Sequence, residues 1–539
     1  MESLWKADLG DGNYKNPILF ADYSDPDVIR VEDTYYMTAS SFNYVPGLPI
    51  LTSGDLVNWK LVNYALDKIN YDKYDIPQHA KGVWAPAIRY HNERYYIYYG
   101  MPDEGIFMVS TKDALGKWDE PVLVLEGKGL IDPCPFWDDD GKAYIIHGYA
   151  KSRIGFKSYL GIFPMSFDGT KAIGEDHILF DGVETQHTIE GPKVYKRNGY
   201  YYIFAPAGGV KQGWQTALRA KNIYGPYEEK VVMKQGNTPI NGPHQGGLVD
   251  TVNGDEWFIH FQDRGLYGRI VHLQPVEWVN DWPVIGINAI DGCGEPCEVH
   301  TKPNTGIVEG ITSLEASDDF CTGLGDSTAE GVDIDGNGAG NGRLNLMWQW
   351  LGNPKENFYS LTERVNFLRL YALNTSGKPE PILWESANVL TQKLVCPYFK
   401  ATVSMHMTHL SENEQAGMVI MGGHYAYLAV RVIDGKKTLV FAMAYSDGDN
   451  IKEKVTSLKV LNEDDEKIYM TFVMESSGNE PEFKVYYNLE GSEEINVPTS
   501  FMPSDHTWVG AKIGLFANVT EEKEKGGYAD FEYIHVTAL

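Results

Sequence analysis

The chain has 539 residues, too many for one compact core; at roughly 150 residues per domain it should hold about three units, or fewer if they are β-rich. Hydrophobic residues are 43% and charged residues 22%, which fits an ordinary folded chain and excludes a disordered one. The net charge of −28 argues against nucleic acid and anionic membranes as partners and fits a neutral ligand or a cation. Half of the aromatic residues are Tyr (34, beside 13 Trp and 21 Phe), and with 55 Gly this favours strands joined by tight turns. Residues 1–17 mix charges and have no apolar core, so no signal peptide is read and a cytoplasmic location is expected. No long uncharged apolar run is available to span a membrane. Cys134, Cys293, Cys297, Cys321 and Cys396 contain no C-x-x-C pair, and reduced thiols packed as small apolar side chains are expected.

The first 300 residues repeat. Each copy has an acidic or polar start, a Pro, an apolar strand, a polar turn and an aromatic strand. The copies begin DPDVIRV (25–31), WAPAIRY (84–90), DPCPFWD (132–138), EGPKVYK (190–196) and, with its Pro just ahead, HQGGLVD (244–250). Turns such as Glu32-Asp33, Asn92-Glu93 and Asn253-Gly254 suit tight hairpins. A second recurrence, SGDLVNW (53–59), KDALGKW (112–118) and KNIYGPY (221–227), reads as outer strands of the same unit. Five units of about four strands predict a five-bladed β-propeller over residues 1–310. Residues 301–343 are rich in Gly, Asp, Thr and Ser and read as linker and loop. Alternating segments from 364 to the end, among them 401–407, 416–421, 427–432, 438–443, 468–474 and 511–517, predict a β-sandwich domain over 311–539, making the chain all-β.

In a propeller the first strand of each blade lines the axis, so matched repeat positions converge on one point. Within a residue or so those positions hold Asp25, Trp84, Asp132, Glu190 and His244. Packing alone would need only small or apolar residues there. Carboxylates crowded in one small pocket push their pKa values apart, which can create one base and one acid. Glycoside hydrolysis needs that pair, and aromatic neighbours would stack on a sugar and exclude water.

The sequence resembles glycoside hydrolase family 43, the β-xylosidases, α-L-arabinofuranosidases and arabinanases. The resemblance rests on NPILFADYSDPD (16–27), GVWAP (82–86), IDP (131–133), EGP (190–192), the His of NGPHQGG (241–247) and the GR at 268–269. It continues in the rear half through DF (319–320), LMWQW (346–350) and SLTERVNFLRL (360–370), which look like the sandwich attached to many β-xylosidases. The resemblance implies Asp25 as general base, Glu190 as general acid and Asp132 as the acid that orients Glu190 and raises its pKa. Asp22 and Asp27 are neighbouring alternatives to Asp25. It implies Phe42 and Trp84 as aromatic walls of the sugar subsite and Arg269 as the Arg that contacts sugar and acids. His244 is the expected ligand of a Ca²⁺ held largely through water, with His272 as a second candidate; without metal, His244 would hydrogen-bond Asp25. The implied activity is an inverting, exo-acting β-D-xylosidase on xylo-oligosaccharides, part of xylan degradation. The alternatives are an α-L-arabinofuranosidase acting on arabinose-substituted oligosaccharides, an endo-arabinanase, and a sugar-binding propeller without catalysis. A homo-oligomer is left open.

Overall fold

A computed structural model describes residues 4–321, 342–447, 450–477, 480–521 and 526–539. Of the stretch expected as linker, residues 322–341 fall outside the described residues. The structure is a five-bladed β-propeller followed by a β-sandwich. The inner strands of the five blades are Asp27–Val31, Trp84–His91, Leu130–Trp137, Lys193–Arg197 and His244–Asp250. Each opens a sheet whose first four strands follow chain order. In the fourth blade the sheet is extended by Cys293–Glu295 and Ile287–Ile290. Asn13–Lys15 pairs with Val299–Thr301, and Asn16 closes the ring by donating to Leu273 O and Cys297 O (both 2.8 Å).

The repeated Pro has a backbone signature. The residue before it is left-handed in every blade: Asp25 (φ 54°), Ala85 (33°), Asp132 (56°), Gly191 (59°) and Gly242 (48°). Non-glycine residues seldom adopt this conformation, and the position before proline is restricted further. Register irregularities accompany it at Trp84/Ala87, Ile131/Cys134 and His244/Gly246. These kinks aim the side chains at the strand starts toward the axis.

The second recurrence is a turn and not a strand. Asp55 Oδ1 accepts from Val57 N (2.9 Å) and Asn58 N (2.7 Å), Asp113 Oδ1 from Leu115 N (3.0 Å), and Asn222 Oδ1 from Tyr224 N (2.9 Å). The closing aromatic then donates back: Trp59 to Leu56 O (2.8 Å), Trp118 to Ala114 O (3.3 Å) and Tyr227 to Ile223 O (2.8 Å). The side-chain carbonyl imitates a backbone turn, so the acidic or amide residue ends the third strand instead of entering a fourth. The fourth strands follow at Lys60–Leu66, Val122–Glu126 and Glu228–Lys234.

The sandwich packs two seven-stranded sheets. One is centred on Lys512–Val519 and Glu414–Met421, the other on Tyr528–Ala538 and Phe399–His406. One apolar core runs without a break from Tyr14, Val28 and Trp257 of the propeller through Trp348 and Trp350 to Phe472 and Phe531 of the sandwich. The backbone crosses the same boundary, where Val45 and Trp350 exchange hydrogen bonds.

Candidate active site

Asp25, Phe42, Trp84, Ala85, Ile131, Asp132, Glu190, Gln245, Arg269 and Trp508 line a pocket of about 100 Å³. Six of these are the expected site residues: Asp25, Asp132, Glu190, Phe42, Trp84 and Arg269. A larger hollow of about 500 Å³ is lined by the far ends of the inner strands, but its acids are neutralised: Asp250 pairs with Arg30 (2.6 Å) and Glu256 with Arg197 (2.7 Å).

Asp25 is buried and held by three donors. Its Oδ2 accepts from Ser24 Oγ (2.9 Å) and Ser40 Oγ (2.6 Å), and its Oδ1 from an Arg269 guanidinium nitrogen (3.0 Å). That nitrogen also donates to Ser24 Oγ (2.8 Å). The neighbouring acids are engaged elsewhere. Asp27 pairs with Arg89 (2.7 Å) and accepts from Ile88 N (2.9 Å). Asp22 accepts from Arg269 N (2.9 Å) on one oxygen and from Gly510 N (3.0 Å) on the other. Asp22 is therefore a clip joining the fifth blade to the sandwich. The approach leaves no room for side chains: a Cβ on Gly268 would lie 2.4 Å from Asp22 Cγ, and one on Gly510 would lie 2.5 Å from Gly268 N.

Asp132 Oδ2 accepts from Gly191 N (2.8 Å) and Gln245 Nε2 (3.2 Å). Burial, followed by the charge of Asp25, pushes its pKa up to about 6, against the pull of Lys193 and Arg269. Glu190 is pushed further, to about 8, first by desolvation and then by Asp132; Arg269 opposes this. Near neutral pH the geometry therefore holds Asp132 as an anion and Glu190 as an acid.

His244 is buried beneath this group, and its nearest acid is Glu190, not Asp25: Nε2 lies 3.4 Å from Glu190 Oε1. The expected hydrogen bond to Asp25 is not made, because Ser24, Ser40 and Arg269 already occupy that carboxylate. Neither ring nitrogen of His244 has a good hydrogen-bond partner. His272 lies outside the pocket lining, stacked on His260 at 5.3 Å with its Nε2 on Gln262 Oε1 (3.2 Å). Among the described residues no three His, Cys, Asp or Glu side chains converge as a metal cage. His244 can therefore serve a cation only as a lone imidazole, with water filling the remaining positions. The five cysteines are free thiols.

The pocket is completed from the sandwich. Trp508 is left-handed (φ 66°) in a tight turn closed by the mutual hydrogen bonds of His506 and Val509. Its ring stacks 6.5 Å from Phe42 and meets Trp84 edge-on at 4.6 Å. Sequence reasoning did not find Trp508, because it belongs to no repeat. Gln245 sits inside the NGPHQGG motif and Ser40 two residues before the expected Phe42, so proximity could have flagged them.

A carboxyl held as an acceptor by three donors and a second carboxyl that keeps its proton, facing one sugar-sized pocket with aromatic walls, suit glycoside hydrolysis, and a propeller presents them from separate blades. Comparison with known proteins agrees. The family description "Glycosyl hydrolases family 43" matches residues 14–283, and "Beta xylosidase C-terminal Concanavalin A-like domain" matches 340–537. A β-xylosidase of Formosa agariphila is 30% identical over 98% of this chain and 90% of its own length. A xylosidase/arabinosidase of Butyrivibrio fibrisolvens is 27% identical over 97% of this chain and 98% of its own length. Among solved structures, a bifunctional protein of Bacteroides eggerthii superposes with a TM-score of 0.78 at 30% identity over all of this chain, which spans 64% of that longer chain. The chain belongs to glycoside hydrolase family 43.

Proposed function

We propose that the protein is an inverting β-D-xylosidase that removes xylose from the non-reducing end of xylo-oligosaccharides. The observation that carries this reading is the division of labour in the pocket: Asp25 is held as an acceptor by Ser24, Ser40 and Arg269, while Glu190 keeps its proton to about pH 8. Asp25 takes a proton from water as the water oxygen bonds to the anomeric carbon. Glu190 gives its proton to the glycosidic oxygen as the bond from that oxygen to the carbon breaks. Attack from the face opposite the departing oxygen inverts the anomeric centre. Asp132, fixed by Gly191 N and Gln245, keeps Glu190 protonated between turnovers. A pocket of about 100 Å³ with Trp508 across one side has room for a chain end and not for a chain passing through, which supports exo action over an endo-arabinanase.

The relatives' names support the xylose reading, and one also supports a second. A protein of Bacteroides ovatus named a non-reducing end α-L-arabinofuranosidase is 29% identical over 79% of this chain and 78% of its own length. Initial rates on matched aryl β-D-xylopyranoside and α-L-arabinofuranoside separate the two, with the xyloside expected to be faster. NMR of the first product from a β-xyloside is expected to show α-xylose; β-xylose appearing first would remove the base role of Asp25.

The proposal includes a divalent cation, Ca²⁺ first among them, on His244 and water. Bound there it would supply a fixed positive charge beneath the sugar that favours ionised carboxylates. Exhaustive chelation is then expected to lower activity, several hard divalent ions to restore it, and His244→Ala to blunt the response, with His272→Ala as the comparison. Full activity in metal-free enzyme, checked by elemental analysis, would leave His244 as a packing residue.

A further inference from the structure

The third blade carries a loop that the hydrolysis as described does not use. Between Ala143–Tyr149 and Tyr159–Met165 the chain makes a single helical turn, Lys151–Ile154, and then a crest at residues 155–158. The loop is tied to the segment that carries the general acid. Ser158 Oγ accepts from Thr188 N (2.8 Å), two residues before Glu190. At the other end, Gly148 packs against both acids: a Cβ there would lie 3.6 Å from Asp132 Oδ2 and 3.8 Å from Glu190 Cα. Arg153 links the loop to the sugar wall. Its guanidinium lies 5.1 Å over the Trp84 ring, and its Nε donates to Asp103 Oδ1 (3.0 Å).

The crest presents two side chains that the fold leaves unused. Phe156 is 43% exposed although wholly apolar. It is stiffly supported, with Tyr149 at 5.2 Å and Tyr159 at 5.8 Å, and the Tyr149 hydroxyl donates to Asp176 (2.6 Å). Lys157 is exposed, and among the described residues its ammonium has neither ion pair nor hydrogen bond. Its field nevertheless reaches Glu190 and opposes the upward push on that carboxyl. The oxygen that Glu190 protonates belongs to the departing sugar, so that sugar lies on the Glu190 side of the pocket.

We propose that Phe156 and Lys157 form the leaving-group site, where the departing pentose lays a ring face on Phe156 and its hydroxyls accept hydrogen bonds from the Lys157 ammonium. This rests on the xylosidase reading. The test compares xylobiose, which has a departing sugar, with β-D-xylosyl fluoride, which has none. Phe156→Ala is expected to lower kcat/KM for xylobiose roughly fivefold and to leave the fluoride unchanged. Lys157→Gln is expected to do likewise, with Lys157→Arg restoring most of the loss. Equal losses on both substrates, or no loss on either, would each overturn the site. Wild-type enzyme that cleaves neither xyloside would overturn the xylosidase reading instead; the same two variants are then compared on arabinobiose and α-L-arabinofuranosyl fluoride, where equal losses, or none, overturn the site.

Discussion

Glu190 holds its proton into the neutral range because burial penalises its charged form and because Asp132 lies beside it. Both causes have a cost in stability. In the unfolded chain the carboxyl ionises near its ordinary 4.5, while in the folded chain it resists until about 8. Each step of pH between those values therefore favours the unfolded chain; the penalty is absent below the lower value and complete above the upper one. Glu190→Gln removes the ionisation. Its melting temperature, measured against wild type, is expected to match near pH 4 and to rise above it progressively towards pH 8. The same variant should lose about 10²–10⁴ in kcat on substrates with poor leaving groups and less on activated ones. A constant melting difference across pH would mean that Glu190 titrates normally. The three acids were legible in the sequence because Asp25 and Asp132 occupy one repeat position and Glu190 falls one residue earlier. The left-handed setting of Asp25 and Asp132 was less legible: it follows from how each blade enters its inner strand, and the letters D-P record it only indirectly. That His244 lies nearer Glu190 than Asp25 was not legible, because order around an axis is not encoded in spacing.

At the scale of the element, inner strands were readable and outer ones were not. An inner strand such as Trp84–His91 begins at a Pro motif and meets an aromatic partner strand, Arg94–Met101. An outer strand such as His177–Asp181 is short and largely exposed, so no alternation marks it. The recurrent DLVNW-type segments were mistaken for strands because their closing aromatic is apolar; the Asx turn folds that ring inward. The sandwich turn at 506–509 left no signal at all, since one Trp outside any repeat or alternating strand is common on a surface. Yet that turn supplies a wall of the pocket. Trp508→Ala should lower kcat/KM about 10- to 100-fold, the equivalent of about 1.5–3 kcal/mol of lost aromatic contact. The melting temperature should move little, because Trp508 is only half-buried. A large drop in melting temperature with unchanged kinetics would make it a packing residue instead.

At the scale of the whole molecule, the two β units share one apolar core and are joined by the Asp22 clip. Calorimetry should therefore give a single unfolding transition for the intact chain, and two well-separated transitions would show that each unit stands alone. A chain ending at residue 310 is expected to aggregate or, if kept in solution, to be inactive, because it exposes its half of that core and lacks Trp508. The Trp508 wall also has a consequence in time. Synthesis runs from the first blade to the sandwich, and Asp25, Asp132 and Glu190 all leave the ribosome before Trp508 is made. A nascent propeller can thus bring its acids together and still be unable to grip a sugar. Activity arrives only when the sandwich docks, so a fragment from interrupted translation is expected to be silent and not a weak hydrolase.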